Sequence, residues 1–163
     1  MGRFTLRAGA LALGLVLGVG HGPAAARAAG DEEDVRAAFT AFQAALKAGD
    51  PDKLWPLLDS ASQADAEKVA RNLKANYAKA KDKAKLEKTF GLTAAEMAGL
   101  TGKVYLKSKR FLGKYGEVPG SKVDKVSVDG DKATVFYTEE DGDKVKMELV
   151  RQDGKWKVVM AVG

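Results

Sequence analysis

The sequence predicts an α+β protein, with N-terminal helices packed on a curved C-terminal antiparallel meander of about four strands. Three observations predict it. Strand-like stretches occupy 122–128, 132–138, 144–151 and 155–162. Asp129-Gly130, Asp141-Gly142 and Asp153-Gly154 stand between them; both residue types tolerate the positive φ that a tight hairpin needs. Upstream, apolar residues recur at helical spacing between capping residues, and helices segregated from strands argue for α+β rather than alternating α/β.

The chain opens on a targeting pattern. Arg3 and Arg7 precede an uncharged apolar run of thirteen residues, AGALALGLVLGVG (8–20), and then Pro23 and Ala26-Arg27-Ala28. That layout is a Sec-type secretory signal over 1–28, cleaved after Ala28, which leaves 29–163 as one domain, secreted or periplasmic. The apolar run is shorter than the roughly 20 residues of a membrane-spanning helix, so no stable span is expected after cleavage. An exported chain without cysteine suggests a bacterial protein.

Charge follows from the same division. The whole chain has 27 basic and 22 acidic residues, a net of +5. Arg3, Arg7 and Arg27 lie in the leader and no acid does, leaving 24 against 22 and a net of +2. So modest an excess, on an exported chain, argues against nucleic acid as partner. Beyond the leader, which holds His21, there is neither histidine nor cysteine. This excludes imidazole or thiol catalysis, disulfides, and zinc or haem sites built on those ligands. No cofactor and no metal site are expected.

The first helix is expected to open at Asp31-Glu32-Glu33-Asp34, its inner face being Val35, Ala38, Phe39, Phe42, Ala45 and Leu46. A contiguous acidic run suits the positive end of a helix dipole better than the spaced oxygens of a calcium loop. Gly49 terminates this helix; Asp50 caps the next, with Pro51 at its first position and Leu54, Trp55, Leu57 and Leu58 as its apolar residues. Ser60 to Gln63 reads as a capping box for a long helix or helix pair reaching Phe90, with Val69, Leu73, Tyr77, Ala80 and Ala84 along its apolar line. Thr93 to Glu96 is a second box, opening a short helix that ends at Gly99. One more helix is expected over 101–112, before Gly113, Gly116 and Pro119-Gly120 break the chain.

Turn length fixes strand register. Two-residue turns at Asp141-Gly142 and Asp153-Gly154 set Phe136 opposite Met147, Leu149 opposite Val158 and Met147 opposite Met160. Phe136, Val145, Met147, Leu149, Trp156, Val158 and Met160 then share the buried face. The first hairpin conflicts with this. A two-residue turn there places Val126 and Val128 with Ala133 and Val135 on the other face, whereas a three-residue loop, 129–131, returns both valines to the Phe136 face. An extra loop residue or a curl, expected near Asp129–Asp131, reconciles them.

Two segments resemble the nuclear-transport-factor-2-like superfamily, the cystatin-like α+β cone. They are AFQAALKAGD (41–50) running into LWPLL (54–58), and VSVDGDKATV (126–135) closing with DGKWKV (153–158). The resemblance implies a sheet wrapped about the helices, with a ligand pocket often at the mouth. Some members of the superfamily are isomerases, dehydratases or cyclases, and many are binding or dimerisation modules. None of the enzymatic members' functional motifs matches here residue by residue.

Three readings of function result. The first is an exported non-enzymatic domain that binds a small molecule or a protein partner, with Trp55, Tyr105, Tyr137 and Trp156 as candidate ligand contacts; homodimerisation is left open. The second is an isomerase or lyase with Asp59 as base and Tyr137 as oxyanion donor. The third is attachment to an anionic surface. Seven basic against two acidic residues lie between Arg71 and Lys88, and Lys74, Lys81, Lys85 and Lys88 are expected on one helical stripe. Binding is favoured over catalysis.

Overall fold

A computed structural model of the chain describes residues 23–163, with side chains from Gly30 onward. The leader expected over 1–28 lies outside the described residues, save for the helical backbone of 23–28. Seven helices precede a four-stranded antiparallel sheet of order β1-β2-β3-β4. Among the described residues no helix is long and apolar enough to cross a membrane.

Helix α1 (Pro23–Ala48) begins earlier than expected. Alanine-rich sequence ahead of Asp31 has the highest helix propensity and carries the helix back to Pro23. The acidic residues therefore lie inside the helix rather than in its first turn, which holds none. Asp31 instead pairs with Arg151 of the sheet. The inner face is as expected: Val35, Phe39, Phe42, Ala45 and Leu46 are buried, with Ala38 half-buried beside them. This face packs against β1, β2 and β4, and each large apolar side chain buried there contributes about 1.5–3 kcal/mol. Gln43 adds polar anchorage, donating from Nε2 to the carbonyls of Val118 at 3.0 Å and Ser121 at 2.9 Å.

Gly49 closes α1 at φ 59, and Asp50 caps α2 (Pro51–Leu54), which runs into a 3₁₀ turn at Trp55–Leu57. Helix α3 (Ser60–Lys79) is capped one residue earlier than expected. The Asp59 amide donates to the Val158 carbonyl at 3.0 Å, next to a bridge between Leu58 and Val158. That tie holds Asp59 extended, so its carboxylate rather than the Ser60 hydroxyl meets the first amides. Gln63 completes no box; its side chain donates to the Trp55 carbonyl at 2.8 Å.

The chain breaks after α3, and Asp82 caps α4 (Lys83–Phe90). The box of Thr93 and Glu96 forms as expected on α5 (Ala94–Ala98). The helix expected over 101–112 is two, α6 (Gly102–Tyr105) and α7 (Lys109–Lys114). Ser108, fully buried, separates them because its hydroxyl accepts from the Phe111 amide and starts a new helix. Helix α6 lies so close to α3 that a Cβ on Gly102 would come within 2.7 Å of the Glu67 amide nitrogen.

The strands are β1 (Lys122–Asp129), β2 (Lys132–Thr138), β3 (Lys144–Gln152) and β4 (Lys155–Val159). The last hairpin has the expected register, with Leu149 opposite Val158 and a two-residue turn in which Asp153 and Gly154 take φ 51 and 72. Pairing ends at Val159, short of the expected 162. The Met160 amide donates instead to the Ser62 hydroxyl at 2.9 Å, holding the chain's end on α3.

The middle hairpin corrects the expected register. Thr138 pairs with Lys144, so the loop holds Glu139–Asp143, five residues rather than two. Phe136 faces Lys146, not Met147, and is 39% exposed; Ala133, Val135 and Tyr137 are buried instead. The first hairpin turns in two residues, Gly130 and Asp131, and sets Val126 opposite Val135 and Val128 opposite Ala133. All four therefore lie on the inner face. The extra residue belongs to the second loop, and the sheet's irregularity is a shift between Val123 and Lys125 rather than at Asp129–Asp131.

Candidate interaction surface

Large apolar side chains occupy the centre of the space between helices and sheet. Phe39, Phe42, Phe111, Leu54, Leu58, Met97, Leu106 and Leu149 are each less than 2% exposed. The main hollows are open to solvent; one, of about 290 Å³, lies where Tyr115 meets the inner-face residues Tyr137, Val145 and Met147, and the four candidate ligand contacts do not gather around any one of them.

Trp55 is half-buried against the core. Tyr105 packs edge-on to Phe111, with 6.2 Å between centroids, and borders a small hollow beside Phe90 and Arg110. Tyr137 lies 5.2 Å from the Phe39 ring and lines a different recess with Tyr115 and Met160. Burial, helped by Glu139 and Tyr115, pushes its phenol up to about 12. Trp156 is 6% exposed, its ring covered by the Arg151 guanidinium at 4.5 Å, and its indole N–H meets no protein acceptor. These are core aromatics.

Asp59 and Tyr137 do not meet as a catalytic pair. Asp59 borders a groove on the outer side of the sheet, whereas Tyr137 lines the separate Tyr115 recess. Both carboxylate oxygens of Asp59 are engaged, Oδ1 by the Ser62 amide at 3.0 Å and Oδ2 by the Ala61 amide at 3.2 Å. A carboxylate held by two helix-end amides is a cap.

Lys74, Lys81, Lys85 and Lys88 are all exposed, but they form no single helical stripe. Lys74 is on α3, Lys81 is in the break before α4, and Lys85 and Lys88 are on α4. The Tyr77 hydroxyl donates to Glu87 at 2.6 Å across that break, and Lys83 lies 5.3 Å from the Tyr77 ring.

The solvent face of the sheet carries a basic surface. Strand register places Lys122, Lys125, Lys132, Lys144, Lys146, Lys155 and Lys157 on this face. The acids beside them are Asp124, bonded to Thr138 at 2.7 Å, with Asp129 and Glu148. Phe136 stands in the middle, the one large hydrophobic side chain exposed among the described residues. Its cross-strand partners are Lys125 on one side and Lys146 on the other. A groove of about 500 Å³ continues from this row, lined by Ser127, Lys132, Thr134, Glu148, Val150 and Val159 among others. The lysines alternate with apolar residues along each strand, a pattern visible in sequence. What the sequence hid was that Phe136 belongs with the lysines.

An acidic group sits near the middle hairpin. One carboxylate oxygen each from Glu117, Glu139 and Asp141 lie within 4.8 Å of one another, an oxygen-only set of the type hard cations take. Burial, then Glu117, Asp141 and Asp143, push the Glu139 carboxyl above the ordinary carboxylate range. Glu139 and Asp141 share a loop, but nothing in the sequence brings Glu117 to them.

No family model, curated protein or solved structure matches this chain.

Proposed function

We propose that the chain is an exported, non-enzymatic interaction domain that binds an anionic partner on the outer face of its sheet. One observation carries this reading: the solvent face of the sheet sets seven lysines and an exposed aromatic ring against three acids. Asp59 is engaged as a helix cap and has no partner in Tyr137. The export half of the reading rests on the leader pattern, and descent from the nuclear-transport-factor-2-like superfamily on the two resembling segments. Between the two basic regions the sheet is favoured over α3–α4, because strand pairing fixes the spacing of its lysine positions about an aromatic contact.

Titration of ¹⁵N-labelled protein with polyphosphate, a polyanion without rings, tests the reading. Amide shifts concentrated on Lys125, Thr134, Phe136 and Lys146, weakening steeply as salt rises, are the expected outcome. Shifts confined to α3 and α4 would return the function to the helical lysines, and shifts nowhere would remove the anionic partner.

A further inference from the structure

The geometry points to a linear acidic glycan, a sugar chain bearing carboxylates, as the occupant of this face; we infer it on the premise that the sheet face binds anions at all. Three features select it. Phe136 offers a ring between two cations, since Lys125 and Lys146 are its paired neighbours on adjacent strands. With strands about 4.8 Å apart, the two lysine stems leave the ring about 10 Å from side to side. A sugar ring laid on Phe136 presents C–H groups to the aromatic face while its carboxylates, and those of neighbouring sugars, reach the ammonium groups. The second feature is concavity. The groove beside the ring suits an extended chain, whereas a bilayer presents a broad, nearly flat surface.

The third feature is the mixture of charges. Asp129 and Glu148 line the groove together with Lys132, and Lys146 lies 3.9 Å from Glu148. A DNA strand carries a phosphate at every step and no free sugar hydroxyl between them to offset its repulsion from those carboxylates. A glycan places hydroxyl donors between its charges, and carboxylates accept from hydroxyls. Ser127 and Thr134 extend the same hydrogen-bonding wall. The inference thus assigns the lysines to the charges, Phe136 to a ring face and the acids to hydroxyls.

The test compares an alginate oligosaccharide with polyphosphate of equal charge by calorimetry and by amide shifts, in the parent chain, Phe136→Ala and Phe136→Leu. Alginate is expected to bind about three- to tenfold more tightly than polyphosphate, a margin typical of one aromatic contact. Phe136→Ala is expected to erase that margin and Phe136→Leu to keep little of it, each margin being read against the same variant's own polyphosphate affinity. Urea unfolding of both variants establishes that they remain folded. Equal affinity for the two polymers, or a margin that survives Phe136→Ala, would overturn the glycan assignment while leaving the anionic face standing. Tighter binding at equal charge to oligo(dT), or to phosphatidylglycerol vesicles, would also overturn it. Failure of every polyanion to move the sheet amides would instead remove the premise.

Discussion

Val135 and Phe136 are neighbours on β2, and they live in opposite environments. Val135 is wholly buried under α1, together with Tyr137 one step further along; Phe136 is 39% exposed between two lysines. Hydrophobicity does not separate them, since phenylalanine is at least as apolar as valine or tyrosine. Parity does. A strand has a two-residue period, so one residue more or less in a neighbouring loop decides which set faces the helices. The inner face is thereby committed to packing and the outer face is left for contact with something else.

The largest expected effect is on the inner side. Phe39→Ala, which empties the space against Tyr137, is expected to cost about 3–5 kcal/mol in urea unfolding. Phe136→Ala is expected to change stability by no more than about 0.5 kcal/mol, as at other surface sites. Similar costs for the two would break the division between the faces. Asp59→Ala comes next, at about 1 kcal/mol for a lost helix cap. Asp59→Asn should recover most of that loss, which checks that the carboxylate serves as an acceptor of amide bonds and not as a base.

Much of this was legible in sequence because it depended on neighbours along the chain. The α1 face, the Gly49-Asp50 junction, the box of Thr93 and Glu96 and the Asp153-Gly154 turn all rest on local chemistry, and each formed as expected. The misreadings came where two local solutions compete and distant contacts choose. Asp59 and Ser60 are adjacent good caps, and a bond from the Asp59 amide to β4 selects the first. Asp141-Gly142 can turn a hairpin in two residues, but the loop takes five. There the Glu139 amide donates to the Asp143 carbonyl at 2.9 Å, closing the longer loop. That choice reversed Phe136 and concealed the interaction surface. The candidate aromatics Tyr105, Tyr137 and Trp156 were conspicuous in sequence for being core.

Two smaller effects concern titration away from the contact face. Lys107 beside Glu96, with amide and hydroxyl bonds from Thr93, draws the Glu96 carboxyl down from its ordinary 4.5 to about 2. Its folded form thus favours the carboxylate, and the stability it adds is present above about pH 4.5 and lost as pH falls toward 2. Glu96→Gln should therefore lower the unfolding free energy at neutral pH by about 1 kcal/mol or less, given solvent screening, with the gap closing in acid. Glu139 has the opposite sign. Its raised pKa means that the folded state holds a proton more readily, so the ionised group costs stability at neutral pH and the cost is relieved on acidification. Glu139→Gln should raise the unfolding free energy slightly at pH 7, by about 0.5 kcal/mol at most, and make no difference below the carboxylate range. Neither change should alter polyanion binding at the sheet face, where the ligating groups are lysines.

The orientation of β2 underlies the whole account, and the absence of cysteine from the chain makes it directly measurable. Single substitutions Val135→Cys, Phe136→Cys and Tyr137→Cys can each be labelled with a thiol reagent under native conditions. The account predicts that Phe136→Cys reacts at nearly the rate of an unfolded peptide, while the two flanking variants react only through unfolding and are slowed in proportion to their stability. Protection of Phe136→Cys together with fast labelling of its neighbours would reverse the sheet and remove the interaction surface with it.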